Sequence, residues 1–275
     1  MWEIYNKITN FYAGKKVGGD NMSINRDGHI HTPFCPHGSA DSFHSYIEQA
    51  ILNGLQTITF TEHAPLPEGF QDPVPEKDSS MPFDQLEEYI NTIDTLKKEY
   101  KQDITILTGL ELDYIEGFEK ETAEFLGEIG PKLDDSILSV HFLKAGESYT
   151  CIDYSVDSFA ELIERTGSTE KAAQLYFQTL LYSIESDLGF YKPKRIGHMT
   201  LIRKFHQQFP NMNINKHIAP VLERIHQQEM SIDYNGAGTA KPLCGEPYPS
   251  NDIAWQAKKE ASLLFMVRML INQQI

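Results

Sequence analysis

The amino-acid sequence predicts an α/β protein built on a parallel sheet or a (β/α) barrel. Short apolar segments alternate with amphipathic segments from residue 27 to residue 260. This alternation is typical of parallel strands joined by helical crossovers. Polar residues, many of them histidines, follow the apolar segments. In a (β/α) barrel the carboxyl ends of the strands form the catalytic face, so these residues are candidates for an active site.

The predicted strands are short, apolar and bounded by turn residues. The first one ends before Pro33, because proline cannot donate a backbone hydrogen bond to a neighbouring strand. The second is rich in β-branched residues, and the others share its apolar character. In order, the predicted strands are residues 27–31, 55–61, 103–114, 136–142, 195–201 and 231–235.

The predicted helices place apolar residues three or four positions apart. Residues 39–52 show this spacing at Phe43, Ile47 and Ile51, with Gly54 as a C-terminal stop. A long loop rich in proline, acidic residues and serine, residues 66–82, precedes the next helix, and such loops are usually functional when ordered. The predicted helices are residues 39–52, 83–100, 119–129, 157–165, 168–188, 215–228 and 252–260.

Composition excludes several classes of function. The 275 residues carry a net charge of −15, from 24 basic and 39 acidic side chains, which argues against a nucleic-acid partner. No apolar run approaches the roughly 18 residues that a membrane span needs. Three scattered cysteines indicate no disulfide framework, so we expect a cytoplasmic protein. Cys35 is a candidate soft metal ligand, although a small buried thiol is the commoner role.

Both ends of the chain are unusual. Residues 1–21 lack the features of a secretory signal, and a GGAGGT-like coding sequence for Gly18-Gly19 would resemble a ribosome-binding site ahead of Met22. We therefore expect residues 1–21 to be a non-native leader, the alternative being a short N-terminal arm. Residues 22–260 are expected to form the barrel. Residues 261–275 contain neither glycine nor proline, and we return to them below.

Residues 27–38 contain the strongest candidate for a metal site. His29 and His31 are two positions apart, which places both imidazoles on one face of a strand. His37 follows in the loop. Every predicted strand except the last ends near a possible ligand, and the later ones contribute His63, Glu111, His141 and His198. The remaining four histidines, which are expected at the surface, are His44, His206, His217 and His226.

This set of donors predicts two or three divalent metal ions. Imidazole and carboxylate suit Zn, Mn or Fe, and six imidazoles with one carboxylate exceed the ligand number of a single ion. Glu111 is the candidate bridge. A multinuclear centre can activate water and stabilise an in-line displacement at phosphorus, so the expected chemistry is phosphoester hydrolysis. The alternative is a barrel whose histidines only satisfy backbone groups.

The sequence resembles the histidinol-phosphate phosphatases of the PHP (polymerase and histidinol phosphatase) superfamily. The resemblance extends from about residue 22 to residue 260. The motifs that carry it are DGHIHTPFCPHG at 27–38, FTEHAPLP at 60–67, GLELDYIEG at 109–117, LDDSILSVHFL at 133–143, RIGHMTLIRKF at 195–205 and DYNGAG at 233–238.

The resemblance implies a distorted seven-stranded (β/α) barrel with a trinuclear metal centre on its C-terminal face. His29, His31 and Glu111 would hold the first metal. Glu111 would bridge to a second, completed by His141 and His198. The third would be held by His37 and His63. The implied reaction is hydrolysis of L-histidinol phosphate, a step of histidine biosynthesis, by a metal-bound hydroxide held by Glu111, His141 and His198.

Further roles follow from the same resemblance. Arg195 is a candidate for a bidentate contact with the substrate phosphate, and the alternative is an ion pair at the barrel end. Glu62, Asp27 and Asp113 are candidates for orienting the imidazoles.

The chain departs from the family pattern at its last strand. The family has a Gly-Ser-Asp-Ala-His-type motif there, whereas residues 265–271 read FMVRMLI. A one-base deletion near codon 261 would convert such a motif into this tail, so residues 261–275 are expected to be frame-shifted. The barrel would then lack its closing strand, with weaker metal binding, low activity and poor solubility. Two alternatives remain, namely another PHP phosphoesterase and an inactive metal-binding remnant.

Overall fold

A computed structural model of the chain describes residues 26–36, 38, 41–261 and 265–268. The predictions for residues 1–21, for His37 and for residues 269–275 lie outside the described residues. In the described part, no helix combines the length and the apolar character that crossing a membrane requires.

Seven parallel strands form one sheet, and its two edge strands lie side by side, so that the sheet forms a nearly closed barrel. The predicted α/β barrel is confirmed. An antiparallel hairpin of two further strands is inserted after the fourth strand and belongs to a separate sheet. In chain order, the strands are β1 (Arg26–Ile30), β2 (Thr57–His63), β3 (Thr105–Asp113), β4 (Ile137–Ser139), β5 (Phe142–Ala145), β6 (Ser148–Cys151), β7 (Arg195–Ile196), β8 (Ser231–Asn235) and β9 (Phe265–Arg268).

The helices lie close to their predicted positions. The first begins later than predicted, because the hydroxyl of Ser42 accepts a hydrogen bond from the backbone N–H of Ser45 (3.2 Å) and caps the helix there. The α-helices are α1 (Phe43–Leu52), α2 (Leu86–Glu99), α3 (Glu119–Ile129), α4 (Val156–Thr166), α5 (Thr169–Glu185), α6 (Asn215–Gln227) and α7 (Asn251–Ala261).

Two predicted strands are shorter than the sequence indicates. The strand predicted at 136–142 ends at Ser139, and Phe142 belongs to the inserted hairpin. The strand predicted at 195–201 ends at Ile196. Gly197 comes so close to β4 that an added Cβ would lie 2.0 Å from Ser139 Oγ. His141 and His198 therefore lie on the loops that follow β4 and β7, not on the strands.

The expectation that the barrel lacks a closing strand needs correction. The backbone of β9 pairs in parallel with β8, with Ile232 opposite Phe265 and Asn235 opposite Arg268. Strand pairing uses backbone groups, so a sequence that departs from the family motif can form a strand at this position. Its residue types, Phe-Met-Val-Arg, include neither an aspartate nor a histidine. The predicted frame shift itself stays a prediction, as do the boundaries at residues 22 and 261.

Apolar side chains of the helices and strands form one large core around the barrel. Tyr89 on α2 ties this core to the site. Its hydroxyl donates a hydrogen bond to the carbonyl of Gly109 (2.8 Å) and accepts one from the N–H of Glu62 (3.2 Å). These bonds hold β2 and β3 in register near their carboxyl ends. In this register His63 lies opposite Glu111.

Candidate metal centre

Glu111 lies at the middle of the candidate site, near the carboxyl end of β3, and its side chain is 1% exposed. One of its oxygens, Oε2, faces three imidazoles, from β1, from the residue that follows β1 and from β2. Nε2 of His29 lies 3.0 Å from this oxygen, and Nε2 of His31 lies 3.3 Å from it. Nδ1 of His63 is 3.5 Å away.

The other oxygen of Glu111, Oε1, faces the loops after β4 and β7. Nε2 of His198 lies 2.8 Å from it, and Nε2 of His141 lies 3.8 Å from it. The hydroxyl of Ser139 donates a hydrogen bond to the same oxygen (2.6 Å). The carboxylate of Glu111 therefore presents one oxygen to each of two groups of imidazoles.

This donor set fits divalent metal ions. Two ligands of one ion, each at about 2.1 Å from it, lie about 3 to 3.5 Å apart. The imidazole nitrogens lie between 2.8 and 3.8 Å from the oxygens of Glu111, so small shifts of the side chains bring them to that spacing. A carboxylate with imidazoles at both oxygens has the arrangement of a ligand that bridges two ions. In the described part of the chain, three groups of donors could hold a metal, and they are His29–Glu111–His198, His63–Asp113–His141 and His31–Cys35–His63.

Three of the imidazoles have a carboxylate oxygen within hydrogen-bond distance of Nδ1. Nδ1 of His29 lies 2.6 Å from Oδ2 of Asp233, and Nδ1 of His141 lies 2.7 Å from Oδ1 of Asp113. Nδ1 of His31 lies 3.1 Å from Oε1 of Glu62. A carboxylate at Nδ1 holds a proton there and leaves Nε2 as the lone-pair donor, which is the usual arrangement of metal-binding histidine.

Opposite charges shift the pKa values at the centre. Burial would raise the pKa of Glu111, but His29 and His63 outweigh burial and lower this pKa well below its usual range. Burial would lower the pKa of His141, yet Asp113 raises it to about 10. Protons and metal ions therefore compete for the same imidazole nitrogens, and metal binding at this centre releases protons.

The structure brings together six of the predicted ligands, namely His29, His31, His63, Glu111, His141 and His198. The seventh, His37, lies outside the described residues. Glu62 and Asp113 orient imidazoles as expected. Asp27 instead accepts a hydrogen bond from the backbone N–H of His29 (3.2 Å).

Two contributors were missed by sequence reasoning. Asp233 partners His29 and is fully buried, and Ser139 partners Glu111. The sequence did carry a signal for the first. Asp233 and Asn235 are two positions apart on a predicted strand, which places two polar side chains on one face of a buried element.

Arg195 does not lie where the resemblance predicted. It begins β7, at the barrel end opposite the imidazoles, and its side chain is 3% exposed. Its guanidinium donates to the carbonyl of Gly28 (2.6 Å) and to Asp135 (2.7 Å). A buried guanidinium that is engaged with these partners at the far end of the barrel does not face a phosphate bound beside the imidazoles, so the structure contradicts the predicted substrate contact. The alternative, an ion pair at the barrel end, is what the structure contains.

The remaining histidines are only partly as expected. His44 and His226 are exposed. His217 is half-buried and stacks on Phe177 with 5.1 Å between ring centroids. His206 is half-buried as well, and its Nε2 lies 2.8 Å from the carbonyl of Cys244. None of the four belongs to a metal-capable group in the described part of the chain.

Fold and site together define a (β/α)-barrel protein with a buried donor set that fits divalent metal ions. Comparison with known families makes the class more specific. The PHP domain matches residues 27–237, and the chain belongs to the PHP domain family.

Similar proteins bear related names. The chain is 49% identical over 245 residues to a histidinol-phosphatase of Bacillus subtilis (strain 168), covering 87% of this chain and 91% of that protein. It is 30% identical to a probable histidinol-phosphatase of Deinococcus radiodurans, over 88% of this chain and 84% of that protein.

Two solved structures share the fold. A protein of Listeria monocytogenes described as a histidinol phosphatase, HisK, superposes with a TM-score of 0.84 at 36% identity, over 88% of this chain and 93% of that one. The histidinol phosphate phosphatase of Lactococcus lactis, in complex with Zn, L-histidinol and phosphate, has a TM-score of 0.64 over 90% of this chain and 85% of that one. At 19% identity, the second likeness supports the fold alone.

Proposed function

We propose that this chain is a metal-dependent histidinol-phosphatase of histidine biosynthesis, which hydrolyses L-histidinol phosphate to L-histidinol and phosphate. The observation that carries the proposal is the buried carboxylate of Glu111 with imidazoles at both oxygens. The 49% identity to the Bacillus subtilis histidinol-phosphatase supports the substrate. The three cysteines are free thiols, which supports a cytoplasmic location.

The proposed cofactors are two or three divalent ions, either Zn, Mn or Fe. When bound, such ions supply a nucleophilic water at neutral pH and neutralise charge on the phosphate oxygens. His29 and His31 with Oε2 of Glu111 would hold one ion, and His141 and His198 with Oε1 would hold another. His63, together with His37, would hold a third. Asp233, Glu62 and Asp113 keep three of these imidazoles in the tautomer that binds metal.

A cavity beside the ends of β2 and β3 has a lining that suits a cationic group, and none of the proposed metal ligands lines it. Its volume is about 520 Å³, and it is lined by Ala64, which follows His63, and by Asp113. Apolar lining comes from Phe83 and Phe125. L-histidinol carries an ammonium group and an imidazole, both of which suit acidic and aromatic surroundings. The acidic residues that line the cavity are Glu68, Asp113, Glu121, Glu124 and Glu128.

The test is a phosphatase assay on the purified full chain. L-histidinol phosphate is compared with other small phosphomonoesters, each with Zn, Mn or Fe added. We expect the highest kcat/KM for L-histidinol phosphate. A clear preference for another phosphomonoester would indicate a different PHP phosphoesterase.

Glu111→Gln tests the carboxylate at the centre. Loss of a group that hydrogen-bonds a metal ligand costs about 10–100-fold in metal affinity or activity. Loss of the Glu111 carboxylate, which is itself a ligand, should therefore lower kcat/KM at least about 100-fold. The matched control is Glu164→Gln on the exposed face of α4, which should leave kcat/KM unchanged. Equal activity of Glu111→Gln and the wild type would contradict the proposed site.

One observation favours a second candidate. The residue types of β9 provide no aspartate or histidine at the closing strand. If the chain binds metal but hydrolyses no phosphomonoester, it is an inactive metal-binding remnant. Metal content and turnover, measured on the same sample, separate the two functions.

A further inference from the structure

Cys35 lies on the turn that follows β1, directly beside the metal centre. Its side chain is buried. A donor atom of Cys35, one of His31 and one of His63 all lie within 4.8 Å of one another. The ligand sets under Proposed function do not use this thiol. The cluster is therefore a second kind of donor set, with sulfur in place of a carboxylate.

Backbone contacts hold the thiol in this position. The N–H of Cys35 donates to the carbonyl of Thr32 (3.0 Å), and the N–H of Gly38 donates to the carbonyl of Cys35 (3.1 Å). Thr32 is anchored in turn, because its N–H and its hydroxyl donate to Oε2 of Glu62 at 2.8 and 2.7 Å. The same carboxylate orients His31, so the turn and the imidazole share one support.

Gly38 leaves the space that the thiol needs. A Cβ at this position would lie 2.8 Å from Cβ of Cys35 and 3.3 Å from its Sγ. Contacts below 3.0 Å force a displacement. Any side chain at residue 38 would therefore push Cys35 from its place beside the two imidazoles.

His63 belongs to two candidate groups, and the contacts favour the one with Cys35. The competing group contains Asp113. Its Oδ1 lies 2.7 Å from Nδ1 of His141 and accepts a hydrogen bond from the backbone N–H of His141 (3.2 Å). That oxygen acts as an orienting partner for His141. In the Cys35 group, the rings of His31 and His63 are stacked, with 4.5 Å between centroids, and Cys35 adjoins both.

We propose that Cys35 is a metal ligand, which joins His63 in holding an ion beside His31. This inference rests on the proposed metal centre and adds a sulfur donor to it. On binding, the thiol gives up its proton to solvent and the sulfur forms a bond to the ion, so charge balances as one proton leaves. Thiolate and imidazole together favour zinc over the harder ions.

Zinc-edge X-ray absorption of the zinc-loaded full chain tests the proposal without any variant. A thiolate ligand gives a sulfur shell at about 2.3 Å, separate from the nitrogen and oxygen shell at about 2.0–2.2 Å. We expect this shell in the wild type and in Cys244→Ser and Cys151→Ser, and its loss in Cys35→Ser. Zinc titration should show at least about tenfold weaker binding of one ion to Cys35→Ser.

The outcomes separate this inference from the proposed function. Bound zinc and hydrolysis of L-histidinol phosphate without a sulfur shell in the wild type would overturn the ligand role of Cys35 and leave the function standing. A sulfur shell that survives Cys35→Ser would also overturn it. A wild type that binds no metal would overturn both. Retention of the sulfur shell in both Cys151→Ser and Cys244→Ser assigns the shell to Cys35, the third cysteine, so a folding defect in Cys35→Ser does not prevent the test.

Discussion

At the scale of single residues, the carboxylates behind the imidazoles determine which nitrogen faces Glu111. The side chain of Asp233 is 0% exposed and lies 2.6 Å from Nδ1 of His29. The amide of Asn235 adds a hydrogen bond to the same carboxylate (3.2 Å). On its other side, Oδ1 of Asp233 is 3.7 Å from Nη1 of Arg195. Asp233 thus lies between the guanidinium of Arg195 and the imidazole of His29.

Asp233→Asn should weaken metal binding about 10–100-fold, because the amide is a poorer acceptor for the Nδ1 proton of His29. Metal titration of the metal-free protein measures the effect. The matched control is Asp252→Asn, an exposed position at the start of α7, for which we expect the wild-type affinity. Unchanged affinity in Asp233→Asn would show that His29 needs no carboxylate partner.

At the scale of elements, the close approach of β7 to β4 positions the site. The N–H of Gly197 donates to the carbonyl of Leu138 (2.9 Å), directly after the last residue of β7. An added Cβ at Gly197 would lie 2.0 Å from Ser139 Oγ and 2.8 Å from Ile137 Cγ2. Ser139 in turn donates to Glu111, so the packing of these two strands reaches the central carboxylate.

Gly197→Ala should therefore lower the free energy of unfolding by about 1–3 kcal/mol, since overpacking displaces Ser139. It should also weaken metal binding through Glu111. Chemical denaturation and metal titration measure the two effects.

Gly127→Ala is the matched control for this substitution. Gly127 lies on α3, and an added Cβ there meets nothing within 4 Å. We expect a gain of about 0.5–1 kcal/mol, because alanine favours a helix interior over glycine. Equal stability changes in the two variants would refute the packing argument.

At the scale of the whole molecule, the candidate metal centre joins β1, β2, β3 and the loops that follow β4 and β7. Buried imidazoles around one carboxylate are poorly compensated without ions, so metal binding should stabilise the fold. At free metal 1,000-fold above Kd, binding to one site contributes about 4 kcal/mol. Thermal unfolding of chelator-treated and metal-loaded protein should show a Tm that rises with metal concentration. A Tm independent of metal would contradict a site that exists only in the folded chain.

The stability of the fold at acid pH depends on another carboxylate, that of Asp153. Burial would raise the pKa of Asp153, but Lys204 and His141 outweigh burial and hold this pKa well below its usual range. Nζ of Lys204 lies 3.2 Å from Oδ2 of Asp153. The folded chain therefore keeps Asp153 ionised where the unfolded chain binds a proton, near pH 4. The stability that Asp153 contributes is complete above that pH and is lost as the pH falls further.

Below about pH 4, the free energy of unfolding of Asp153→Asn should depend less steeply on pH than that of the wild type. The difference in slope should correspond to at most one bound proton. Urea denaturation over a pH series measures this slope. Asp103→Asn, at an exposed position, is the control and should keep the wild-type slope. A slope in Asp153→Asn identical to that of the wild type would contradict the ion pair.

Local sequence determined the donor types and the alternation of strands and helices. His29 and His31 share a face because side chains alternate along a strand, and that rule needs only neighbouring residues. Predicted helix limits also held closely, and the helix predicted at 119–129 is found at Glu119–Ile129. Amphipathic spacing and stop signals are local properties of the chain.

Tertiary structure alone decided the partners that come from distant segments. His29 and Asp233 are 204 positions apart, and only closure of the barrel places them 2.6 Å from each other. Barrel closure likewise buries Arg195 against Gly28, which removes it from any phosphate. It also places Cys35 and His63 in one cluster. No local pattern encodes these distances, because they depend on how seven strands pack around a common centre.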